Sequence, residues 1–233
     1  MKTYFIFLCI FFSISAIGQK HSISINYKPS LTYFGRQTQS FDNYYFFSRN
    51  GDKTFNNSAN ILYSYKVSSK IRISIGLEYS QQGQNISFNA DSAFPSNNRR
   101  IFNIELNYLR IPLAIGYSVF KLKKSELDIY SGLSLGFVTK RKDNYQNIIL
   151  EDILLPPADK RYKNQDWAIP IGVNYQRALT KNTIAIFGVE YLVGLTNSFT
   201  ENGASKFGVL SEFDNSKQKR LSINIGIGFN LTK

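Results

Sequence analysis

The chain has 233 residues, a formal net charge of +12, one cysteine, one histidine and 15% aromatic residues. That length suits one domain or a modest pair, and so few thiols and imidazoles exclude a disulfide framework and a Cys/His zinc site. The charge is dispersed, with Lys121, Lys123 and Lys124 the only tight lysine cluster, which argues against nucleic acid and for anionic lipid headgroups or glycolipid phosphates as partners.

Met1-Lys2, the apolar run Tyr4 to Ile14 and the small residues of Ala16-Ile17-Gly18 form the pattern of an export signal. Residues 1–18 are expected to be removed before Gln19, leaving 19–233 as a single barrel domain. The apolar run is too short for a spanning helix, which needs roughly 20 residues. Cys9 lies inside it after the bulky Leu8, so a lipoprotein is not expected and the mature chain carries no thiol. His21 then stands at the start of the mature chain and is expected to be an exposed terminal residue, not the base of a catalytic triad.

The remaining sequence reads as strands in chain order. The first covers about 21–34, with Ile23, Ile25 and Tyr27 on one face and Pro29 as a bend or bulge. The second, 58–67, alternates through Ala59, Ile61, Tyr63, Tyr65 and Val67. The third, 71–80, is the clearest: Ile71, Ile73, Ile75, Leu77 and Tyr79 oppose Arg72, Ser74, Gly76, Glu78 and Ser80. A helix would scatter these residues around its axis. The fourth covers about 103–120. Its apolar residues change phase, from Ile104, Leu106 and Tyr108 to Leu109 through Val119, which predicts a bulge near Tyr108 to Arg110. The fifth to seventh are 126–138, 166–178 and 183–196, and the last runs from Arg220 to Leu231. Pro112 and Pro170 each remove a ladder hydrogen bond and predict bulges or irregularities.

The connections alternate. Ser68 to Lys70, Lys121 to Ser125 and Leu179 to Asn182 are short, whereas 35–57, 81–102, 139–165 and 197–218 are long. A soluble sandwich has no reason for that rhythm. An outer-membrane barrel does, with short turns in the periplasm and long loops outside. The expectation is an all-β, eight-stranded, antiparallel, up-and-down transmembrane β-barrel in the outer membrane, with both termini periplasmic. The mean hydropathy of −0.22 does not oppose this, because lumen-facing residues dilute the apolar signal.

In that arrangement Arg72, Glu78, Arg110, Asp128, Asp166, Glu190 and Arg220 project into the lumen. They are read as a structural salt-bridge network, since a small barrel is filled by side chains and buried charges need partners. No catalytic residue, metal ligand or cofactor is expected. Two apolar loop segments stand out as contact candidates. One contains Phe41, Tyr44, Tyr45 and Phe46, and the other contains Ile153, Leu154 and Leu155.

Tyr108-Leu109-Arg110-Ile111-Pro112-Leu113 resembles the Tyr-Leu-Glu-Ile-Pro-Leu signature of PorT-like outer-membrane β-barrel domains, with Arg110 in place of the usual acid. Glu190 to Asn197, ending in Gly-Leu-Thr-Asn, is similar to the penultimate strand of that family, and Ser222 to Phe229 to its closing strand. The resemblance implies a small outer-membrane barrel, and its founding member is tied to type IX secretion, a role not carried over to this chain. The expected function is non-enzymatic, through loops that contact envelope lipid, glycolipid or an envelope or secretion-system protein. The rival readings are a lipid- or glycolipid-modifying barrel enzyme and a soluble lipocalin-like periplasmic carrier.

Overall fold

A computed structural model describes residues 21–34, 47–90, 100–146, 162–198 and 217–231. The N-terminal segment 1–18 and both apolar loop segments, with Phe41, Tyr44, Tyr45, Phe46, Ile153, Leu154 and Leu155, lie outside the described residues. Eight strands follow in order: β1 His21–Phe34, β2 Phe47–Lys66, β3 Ile71–Ala90, β4 Arg100–Lys121, β5 Ser125–Gln146, β6 Gln165–Ala178, β7 Thr183–Asn197 and β8 Lys217–Asn230. Each pairs antiparallel with its sequence neighbour, and β1 pairs with β8 to close the barrel. Closure leaves no free sheet edge around the barrel wall.

The two faces are inverted relative to a soluble barrel. Outward residues are apolar and exposed, such as Ile75, Leu113, Ile171 and Ile225. Inward residues such as Asn26, Asn60, Ser80 and Asn224 are polar and buried. From Leu109 to Val119, at roughly 3.3 Å per residue and a tilt of about 40°, the apolar wall projects to about 25 Å, the height of a lipid-facing band. Exposed Tyr117, Tyr175 and Phe229 stand near the short-turn end of the wall, and Tyr79 and Trp167 near the other. These are the positions of two interfacial aromatic girdles.

Four strands run further than expected. β3 and β4 remain paired out to Phe88↔Arg100, inside the stretch 81–102 expected as a loop, and β2 and β5 lengthen likewise. The reason is chemical. From Gln81 to Asn85 the chain is polar on both faces, so no apolar stripe marks the strand, but Gln82 and Gln84 are buried inside it.

The expected bulge on β4 near Tyr108 is absent. β3–β4 pairing keeps one register through Tyr108, and the shift between Asn107 and Tyr108 places the extra residue on β5, at Thr139. Thr139 donates its hydroxyl proton to the Asn107 carbonyl at 3.1 Å. Ile104, Leu106 and Tyr108 share the inward face with Arg110 and are 0–1% exposed. What changes along β4 is the environment, not the strand phase. Above the membrane-facing wall, apolar residues turn inward, as in a water-surrounded barrel, and Phe34, Tyr162 and Leu192 complete that core.

Pro29, Pro112 and Pro170 cause no register shift. Each interrupts one ladder only. β1–β8 pairing lapses between Tyr27 and Ser30, β3–β4 between Ile75 and Glu78, and β5–β6 between Ser131 and Ser134, then resumes in the same register. A proline nitrogen faces a single neighbour, so the other ladder stays intact.

Candidate functional site

Three charged clusters stack inside the barrel, and period-two geometry puts them there: their charged members all stand at even-numbered positions, on the inward phase of their strands. The central cluster is a ring of alternating charge. Lys28 Nζ lies 2.9 Å from Glu78 and 2.8 Å from Glu190, while Arg220 reaches Glu78 at 2.6 Å and Glu190 at 2.7 Å. Tyr130 donates to Glu190 at 2.9 Å, and Arg220 also donates to Ser58 and Ser80. All four residues of the ring are at most 3% exposed. Each of the four carboxylate oxygens accepts a bond from a cation, so neither glutamate is placed as an unpaired base.

Nearer the long connections, buried Arg110 bonds Asp166 and Gln218 and lies 4.6 Å from the Tyr108 ring centroid. Thr196 donates to the second Asp166 oxygen at 3.0 Å. Nearer the short turns, Lys66 pairs with Glu126 at 2.7 Å, and Arg72 pairs with Glu126 at 3.3 Å and Asp128 at 2.9 Å. Gln176 donates to Asp128. A cavity of about 70 Å³ lies between this cluster and the central ring, lined by Asn26, Arg72, Asp128, Tyr130 and Asn174 among others. The central ring and the apolar core above it separate that cavity from the far end.

The seven residues named from the sequence fall into these clusters: Glu78, Glu190 and Arg220 in the ring, Arg110 and Asp166 above it, Arg72 and Asp128 below. Lys28, Lys66 and Glu126 were missed. All three lie on the polar phase of their strands, and that phase was the available signal. His21 is not a bare terminal residue, since its ring lies 5.1 Å from that of Tyr65 and its Nδ1 reaches the Tyr63 hydroxyl. Among the described residues no group of His, Cys, Asp and Glu is arranged to hold a metal.

Inward glycines make room for the large members of the network. A Cβ on Gly172 would fall 2.5 Å from the Tyr130 ring, and one on Gly136 would fall 2.9 Å from the Arg110 guanidinium. Gly172→Val is expected to displace Tyr130 from Glu190 and destabilise the barrel by about 1–3 kcal/mol. Urea unfolding in detergent micelles measures this, and an unchanged midpoint would mean that Tyr130 swings aside freely.

A profile of the outer membrane protein beta-barrel domain family matches residues 12–200. No curated protein matches the chain. Among solved structures, the outer membrane protein OprG from Pseudomonas aeruginosa is similar at 9% identity and a TM-score of 0.51, covering 92% of this chain and 97% of that one. A major outer membrane protein from Thermus thermophilus is similar at 9% identity and a TM-score of 0.49, covering 92% and 100%. Ail, the attachment invasion locus protein of Yersinia pestis, solved with the heparin analogue sucrose octasulfate, is similar at 13% identity and a TM-score of 0.43, covering 91% and 99%. At such identities the likeness to OprG speaks for the fold alone.

Proposed function

The chain belongs to the outer membrane protein beta-barrel domain family, and from that membership we propose a non-enzymatic wall protein of the outer membrane that acts through its surface and loops rather than its lumen. The observation that carries this reading is the central ring. Lys28, Glu78, Glu190 and Arg220 satisfy one another across the lumen, which leaves neither a diffusion path nor an unpaired acid–base pair at that level. The long connections then carry the contacts, including the segments around Phe41, Tyr44, Tyr45 and Phe46 and around Ile153, Leu154 and Leu155. Export directed by residues 1–18 and periplasmic termini belong to the same proposal. The ends of β1 and β8 support the second point, since Leu231 N donates to the His21 carbonyl at 2.8 Å on the short-turn side. The PorT-like kinship also belongs here, on the Ile111-Pro112-Leu113 and Gly194-Leu195-Thr196-Asn197 pieces.

The test is cell fractionation followed by gel electrophoresis of detergent extracts with and without heating. Outer-membrane recovery with a heat-modifiable shift in mobility is expected, and full release with the soluble periplasm would overturn the reading. An enzyme acting on glycolipid would instead change the acylation or headgroup pattern of lipid A, read by mass spectrometry with and without the gene.

A further inference from the structure

The ion pairs of the described residues all lie on the lumenal side of the wall. The outer wall is different. At the long-connection end of β2, β1 and β8, Lys53 Nζ lies 5.6 Å and Lys219 Nζ 5.7 Å from the centroid of the same Tyr33 ring. Lys217 stands on the same outward phase of β8 and is exposed. The Tyr33 hydroxyl lies 3.4 Å from that of Tyr191. Directly toward the membrane from this cluster, Leu31, Phe55 and Leu221 are 41%, 68% and 47% exposed.

Two ammonium groups gathered on one aromatic ring repel, and cation–π attraction to that ring offsets this only in part. An anion bridging the ammonium groups removes the repulsion. The neighbouring apolar wall selects an anion that carries hydrocarbon chains. The cluster also sits where the apolar band ends, which is the depth of a lipid headgroup. We propose that Lys53, Lys217 and Lys219, with Tyr33 as platform, bind the phosphate of an outer-leaflet phosphorylated glycolipid whose acyl chains lie along Leu31, Phe55 and Leu221. This rests on the proposed orientation, in which the long connections face outward.

The test uses the full-length mature protein in mild detergent and native mass spectrometry, with diphosphoryl lipid A, its dephosphorylated counterpart and phosphatidylglycerol as probes. The unsubstituted protein is expected to bind diphosphoryl lipid A at least tenfold more tightly than either other lipid. The variant Lys53→Gln/Lys217→Gln/Lys219→Gln is expected to lose that preference, and Lys140→Gln/Lys142→Gln on the far wall to keep it. Unchanged binding by the triple variant, with its heat-modifiable shift intact, would overturn the site but not the barrel. Equal loss in the far-wall variant would show a diffuse charge effect and overturn it too. Phosphatidylglycerol bound as tightly as diphosphoryl lipid A would overturn the glycolipid assignment. A protein without outer-membrane recovery or a heat-modifiable shift would instead fail the underlying reading.

Discussion

Arg220→Ala is expected to destabilise the barrel by about 3–5 kcal/mol, the cost of leaving a buried charge without its partner. Arg220 is fully buried and holds Glu78 and Glu190 on its two terminal nitrogens. Without it, two buried carboxylates share the single ammonium of Lys28. The low-polarity surroundings that strengthen the intact ring make this residual negative charge costly. Adding Glu190→Gln to Arg220→Ala is expected to recover part of the loss, because Lys28 and Glu78 then form a neutral pair. Trp167, the only tryptophan, reports urea unfolding in detergent micelles by fluorescence. A loss below about 1 kcal/mol, the value of a solvated surface pair, would show that water reaches the ring.

The second large effect is on the opposite face. Ile225 points outward, pairs with Tyr27 and Phe187 on its two sides, and is 46% exposed. By exposure alone Ile225→Arg would change stability by no more than about 0.5 kcal/mol, as surface substitutions do. In lipid it is expected to cost about 2–4 kcal/mol, because the midplane cannot solvate a guanidinium. Asn103→Arg, on the outward face of β4 beyond the apolar band, is expected to cost about 0–1 kcal/mol. Refolding equilibria in lipid vesicles give both values. Equal costs at the two positions would argue that no membrane surrounds the wall at Ile225.

These two residues mark how much is legible in the sequence. The period-two alternation of Leu221 to Leu231 against Arg220 to Asn230 assigned Ile225 and Arg220 to opposite faces, because strand geometry leaves no other choice. The rhythm of short and long connections turned that alternation into a closed eight-stranded barrel. It also put Arg72, Glu78, Arg110, Asp128, Asp166, Glu190 and Arg220 on one side of the wall.

Partner choice was not legible. Lys28 meets Glu190 across 162 positions of sequence, and no local pattern records a distance across the lumen. The strand extensions were hidden for a related reason. Gln82 and Gln84 are held by the ladder and by burial among polar neighbours, so they leave no apolar stripe to read. The phase of β4 is hidden too, because hydrophobicity by itself does not record whether a face meets lipid or water. Sequence alone determined the eight strands, the faces of their apolar stretches and the closed wall, since backbone geometry and patterning are local. Only the tertiary structure decided which charges pair and where the surroundings change from lipid to water, since both depend on groups brought together by closure of the barrel.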